Sequence, residues 1–299
     1  MLEGFEELCK KYGIKNITPL LKGWSGDKKY VLDNGDEKYI LRLSDNGKYE
    51  KKKEQFALLQ KIEEFGLNCS RAVEFGVSED GTVYTLLSYL QGEDGEEAVA
   101  KMTDNEAYNI GTEAGKVLSK LHSVKIPPQK QTWWERYLQK MPRKIAALKA
   151  CEYKLPMHDT ALRYYEEHFE IMKDRPVVFC HGDYHLGNMI VNNGKIGIID
   201  FDKNGVADPY DDFKPFCWNV MVNEYFETGL INGYFDGKIP DDFFPTLKFY
   251  TAESLVSQLP WSVKFGQTEI ETAYKVADNQ MKWYGNFNLD IPTWYHGSR

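Results

Sequence analysis

The chain has 299 residues, with 37 Lys and Arg against 45 Asp and Glu, a net charge of −8. That length suits about two lobes with real cores, and 42% hydrophobic residues beside 27% charged ones exclude a disordered chain. An acidic chain lacks the basic surface that nucleic acid or an anionic membrane requires, while it attracts cations. No apolar run approaches the ~18 residues of a membrane span. The acidic start, Met1 to Glu7, lacks the basic-then-apolar pattern of a signal peptide. Cys9, Cys69, Cys151, Cys180 and Cys217 are odd in number and scattered, as expected of free thiols in a reduced cytoplasm. The expectation is a cytoplasmic monomer with no nucleic-acid or membrane partner.

In chain order, residues 2–12 space apolar side chains three and four apart, which predicts a short amphipathic helix. Three strand-like runs follow, ITPLLKG, KKYVL and KYILRLS, the last two joined by Asp33-Asn34-Gly35-Asp36, a strong hairpin signal. Between the first two lies Gly23-Trp24-Ser25-Gly26-Asp27-Lys28, where Ser25 and Gly26 would let backbone N–H groups approach a phosphate. Residues 48–65 read as a helix with Phe56, Leu59 and Ile62 on one face, stopped by Gly66. Strands around 72–77 and 83–90 complete a five-stranded sheet.

After Gln91-Gly92 the pattern turns helical, at 104–122, 132–149 and 157–172. Short strands interrupt it at 177–180, 189–191 and 196–199, with Asn192-Asn193-Gly194 as a second hairpin turn. Residues 209–285 read as mostly helical and aromatic-rich. The fold class is therefore α+β and bilobal, a small antiparallel sheet lobe with one main helix over 1–91 and a larger helical lobe over 92–299. A cleft between such lobes is where ligands bind.

The informative stretch is 177–213, VVFCHGDYHLGNMIVNNGKIGIIDFDKNGVADPYDDF. Phosphoryl transfer needs an acceptor for the attacking hydroxyl's proton and hard oxygen ligands for Mg²⁺. Asp183, on a loop after His181-Gly182, supplies the first. Asn188, five residues later, and Asp200, ending an apolar strand, supply the second. The spacing equals that of H-x-D-x-x-x-x-N in the protein-kinase catalytic loop, with Asp200 in the metal-binding position of D-F-G.

With HGDYHLGN, IIDFD and ADPYDDF the sequence resembles the aminoglycoside phosphotransferase and choline kinase-like group, small-molecule kinases with a protein-kinase-like fold. Gly182 in place of Arg, His185 in place of Lys, and no APE-type segment separate it from protein kinases. The resemblance implies Asp183 as catalytic base, Asn188 and Asp200 as Mg²⁺ ligands, and Asp212 as a brace for the loop. Asp202 is an equal candidate for metal assistance or for a solvated loop carboxylate. The resemblance also implies that Arg42, in KYILRLS, grips nucleotide phosphate with Glu54 of the next helix as its partner. Ser88, Tyr89 and Leu90 fall where such proteins thread the adenine-binding connection. ATP and GTP are equally compatible.

The acceptor pocket is expected over 209–285. Asp208, Asp211, Glu224, Glu253, Glu269 and Glu271 are candidates to attract a cationic substrate such as an aminoglycoside. Trp218, Tyr225, Trp261, Trp283 and Tyr284 would suit a quaternary ammonium or a sugar face. The reading is an Mg²⁺-dependent kinase passing the γ-phosphate of ATP or GTP to a hydroxyl of an aminoglycoside-like molecule. A metabolic kinase of choline, ethanolamine, homoserine or a thiosugar is the alternative. A non-catalytic nucleotide-binding module is the rival of another class, and a protein kinase is disfavoured.

Overall fold

The computed structural model describes residues 2–21 and 26–297, so Ser25 lies outside the described residues. In chain order they form α1 (Glu6–Lys11), β1 (Asn16–Pro19), β2 (Lys28–Asp33), β3 (Lys38–Ser44), α2 (Tyr49–Glu64), β4 (Ala72–Val77), β5 (Val83–Ser88) and β6 (Glu93–Asp94). Next come α3 (Gly95–Val99), α4 (Asp104–His122), α5 (Trp133–Ala150), α6 (His158–Glu167), β7 (Val178–Cys180), β8 (Met189–Asn192), β9 (Lys195–Ile198) and β10 (Gly205–Ala207). The chain ends in α7 (Phe216–Val222), α8 (Glu224–Phe235), α9 (Phe243–Ser262) and α10 (Gln267–Trp283). None of these helices is long and apolar enough to cross a membrane. Two compact units result: Met1–Asp94 with Asn188–Asp202, and Gly95–Gly187 with Lys203–Arg299.

In the first unit, five antiparallel strands lie in the order β1-β2-β3-β5-β4. Strand alternation divides the labour of β3. Tyr39 and Leu41 pack with Phe5, Leu8 of α1, Leu32 and Leu86 into one core cluster. Arg42, opposite Lys29 on β2 and Thr85 on β5, faces the other way. On that second side α2 packs its aromatics on the sheet, with Tyr49 and Phe56 5.4 and 5.8 Å from the Phe75 ring. Gly66, at φ 68°, ends α2 as the sequence predicts. The β8–β9 hairpin joins this unit because β6 pairs with β8, Glu93 against Val191 and Asp94 against Ile190.

The second unit is helical. Capping boxes start α4 and α5: Thr103 with Glu106 and Thr132 with Glu135 exchange side-chain and backbone hydrogen bonds. α4 and α8 cross with their backbones in contact. A Cβ on Gly111 or Gly115 would strike the Phe226 or Leu230 carbonyl, and one on Gly229 or Gly233 the Tyr108 or Thr112 carbonyl. Strands β7 and β10 pair antiparallel, Phe179 opposite Val206, and fix the segment that leads into His181.

Candidate active site

In the second unit the loop after β7 is held from beneath by one carboxylate. Asp212 is buried, and it accepts hydrogen bonds from the backbone N–H of His181 at 2.8 Å and of Gly182 at 2.6 Å. The ring Nε2 of His122 lies 3.0 Å from the same carboxylate, while its Nδ1 meets the Tyr234 hydroxyl at 2.8 Å. Asp212 is thus the brace that the DPYDD stretch implies. Gly182 adopts φ 84°, and a Cβ there would strike the Lys203 carbonyl, so the HGD triplet requires its glycine.

This bracing presents Asp183. Its side chain is about a quarter exposed, with Lys203 Nζ 3.0 Å and His185 Nε2 3.7 Å from Oδ2. Burial pushes the carboxyl's pKa up, but His185 and Lys203 outweigh burial and hold it below the usual carboxylate range. Asp183 is therefore ionised at neutral pH and able to accept a hydroxyl proton.

In the first unit, the β8–β9 register brings Asn188 and Asp200 to the same end of one hairpin. Met189 faces Ile198, and the Ile199 N–H donates to the Asn188 carbonyl at 3.0 Å. Asp200 takes a left-handed conformation, φ 62°. Its Oδ1 is buried and accepts no hydrogen bond among the described residues. The nearest cations stand off, Arg42 Nη1 at 3.6 Å from Oδ1 and Lys29 Nζ at 3.8 Å from Oδ2. A buried carboxylate oxygen that accepts no hydrogen bond among the described residues, on the hairpin end that also carries Asn188, fits a hard divalent cation such as Mg²⁺.

Arg42 does face this end of the sheet, but its partners differ from the expected one. Its guanidinium meets Asp202, Asp27 at 3.1 Å and Asp200. Burial works against the charge, and Asp202, Asp200 and Asp27 more than restore it. Glu54 is exposed on α2 and forms no ion pair among the described residues, which corrects the Arg42–Glu54 expectation. The reason is helical phase. Lys52 lies on the inner face and pairs with Asp27 at 2.7 Å and Asp202 at 3.6 Å, and Glu54, two residues on, is turned about 200° away. Lys29, Lys52 and Asp27, absent from the sequence-predicted set, complete the cluster, and Lys48 reaches Asp27 at 3.1 Å. Alternation along β2 and β3 is the signal that finds Lys29.

Gly26 has φ 66° with open space at its Cβ position. Ser88 and Tyr89 spend their backbone N–H groups on the carbonyls of Arg71 and Lys38, at 3.0 Å each. Leu90 lines a cavity of about 280 Å³ with Asn68, Gln91 and Ile190.

Three of the acidic residues expected to attract substrate, Asp208, Asp211 and Glu253, are occupied by the fold itself, which corrects the expectation for those three. Asp208 is fully buried, gripped by Arg175 at 2.8 and 3.1 Å, and accepts from the Tyr250 hydroxyl at 2.7 Å. Glu253 is fully buried against Lys144, Lys140 at 3.0 Å and Lys214 at 3.5 Å, and accepts from the Tyr137 hydroxyl. Asp211 holds Lys214 at 2.9 Å. Buried carboxylates persist only when paired in this way.

The sequence matches no curated protein. Many solved structures share the fold, three of them as follows. Aminoglycoside phosphotransferase APH(2″)-Ib, bound to ADP, is 17% identical at a TM-score of 0.68, covering 93% of this chain and 98% of its own. The GDP complex of aminoglycoside 2′-phosphotransferase-IIIa is 16% identical at 0.72, covering 92% and 95%. The gentamicin complex of APH(2″)-IIa is 17% identical at 0.65, covering 93% and 95%. The model of the phosphotransferase enzyme family matches residues 16–241, about three quarters of the sequence. The chain belongs to that family, and is a phosphotransferase.

Proposed function

We propose that the protein is an Mg²⁺-dependent kinase that transfers the γ-phosphate of ATP or GTP to a hydroxyl of a small molecule. The carrying observation is Asp183, kept ionised on a loop whose backbone is tied to buried Asp212. Asp183 orients the acceptor hydroxyl and takes its proton as the new P–O bond forms. Arg42, with Lys29 and Lys52 beside it, supplies positive charge for phosphate oxygens. Asn188 and Asp200 hold the metal, and Asp200 Oδ1, which accepts no hydrogen bond among the described residues, supports that role. Bound Mg²⁺ supplies charge neutralisation between the phosphates.

Nucleotide use is supported by the ADP and GDP complexes among the fold's neighbours. An aminoglycoside-like polyol is the first acceptor to test, because one neighbour was solved with gentamicin. Coupled nucleotide consumption with Mg²⁺, comparing ATP and GTP over gentamicin, streptomycin, choline, homoserine and methylthioribose, tests both halves. Acceptor-dependent turnover on an aminoglycoside, abolished by Asp200→Ala, is the expected result. Turnover on choline or methylthioribose alone would replace the acceptor, and nucleotide binding without turnover on any acceptor would favour the non-catalytic module.

A further inference from the structure

Outside the catalytic loop the second unit carries a cavity of about 390 Å³ between α5 and α9. From α5 it is lined by Arg136, Lys140, Arg143 and Lys144, which at these spacings share one helix face, and from α9 by Ser257 and Trp261. No acidic residue lines it. Glu253 sits fully buried one turn before Ser257, already shared by Lys140, Lys144 and Lys214. With Lys214 also held by Asp211, five cations here face two carboxylates, a positive excess inside a chain of net charge −8.

Two observations describe how this charge is held. The Arg136 guanidinium donates from Nη1 to the Val206 carbonyl at 2.6 Å, yet its Nε and Nη2 have no acceptor among the described residues. Both nitrogens are occluded, and the guanidinium lies over the Trp133 ring at 5.0 Å, as Lys140 Nζ does at 5.5 Å. Lys144, despite its pair with Glu253, is drawn down to about 8, by burial first and then by repulsion from Lys214 and Lys140. Trp261, 49% exposed, adds an apolar wall.

We propose that this cavity binds a small molecule carrying a carboxylate or phosphate, with the four α5 cations on its oxyanion and Trp261 against its apolar or ring portion. The site goes beyond the phosphotransferase reading and does not depend on Asp183. A polycation such as an aminoglycoside is repelled from it.

The test is titration of nucleotide-free protein with inorganic phosphate, D-glucose 6-phosphate and D-gluconate, against D-glucose and kanamycin, read by tryptophan fluorescence. Circular dichroism checks that each variant is folded. The anions give a saturable change that glucose and kanamycin do not. Trp261→Phe reduces the signal, and exposed Arg143, changed to Glu, weakens binding about tenfold. Arg42→Ala retains the response, which separates this cavity from the nucleotide-phosphate cluster. Absence of a saturable response to all three anions, an unaltered response in Arg143→Glu, loss of it in Arg42→Ala, or tighter binding of kanamycin would each overturn the proposal. Asp183→Asn tests the phosphotransferase reading separately, because it removes transfer and leaves anion binding in place.

Discussion

Arg42 and Glu54 show what a single residue's environment adds to a motif. The motif supplies a cation on the third strand, and the fold supplies its anions from two places in the chain, Asp27 and the Asp200–Asp202 segment. Arg42→Ala is therefore expected to raise the KM for nucleotide about tenfold or more, while Glu54→Ala stays within about twofold in steady-state kinetics. Equal effects at the two positions would restore the Arg42–Glu54 pair. The candidate-site residues His181, Gly182, Asp183, Asn188 and Asp200 stand out in sequence because one short stretch holds them at fixed spacing. The burial of Asp208 and Glu253 does not, because a carboxylate's sequence position does not reveal the Arg175 or the lysines that bury it.

At the scale of elements, α4 and α8 depend on small residues at the crossing. Gly111 and Gly115 on one helix meet Gly229 and Gly233 on the other, each against a backbone carbonyl. Gly233→Ala is expected to cost about 1–3 kcal/mol in denaturant unfolding, since neither backbone can retreat without opening the crossing. An unchanged midpoint would mean that the helices separate freely. Both G-x-x-x-G patterns are visible in the sequence, but nothing local says that they face each other. The strands and α2, by contrast, follow from alternation, the Asn34-Gly35 turn and the Gly66 stop, all of them local signals. The three-residue strand β10 has no such signal and forms by pairing with β7.

For the whole molecule, buried ionisable groups set how stability responds to pH. Burial raises the Glu227 carboxyl from its ordinary 4.5 to about 8, against one hydrogen bond from Asn219 at 2.7 Å. The folded chain keeps that proton between those values while the unfolded chain loses it, so this group's contribution is full below pH 4.5 and declines as pH rises through about 8. Glu227→Gln should flatten the decline, which reaches at most ~1.4 kcal/mol per pH unit. A pH series of urea unfolding checks it, and parallel curves for the two proteins would place the charge elsewhere. Asn219 also accepts from the Leu186 N–H at 2.8 Å, so this buried acid supports the segment that follows Asp183.

The most direct test of phosphoryl transfer by this chain compares wild type with Asp183→Asn, measuring Mg²⁺-dependent turnover and nucleotide affinity on the same preparations. A positioned base is worth roughly 10²–10⁴ in rate, so turnover should fall by about that factor while nucleotide affinity stays within about threefold. Turnover within tenfold of wild type would contradict the assignment of Asp183 as the group that takes the acceptor's proton.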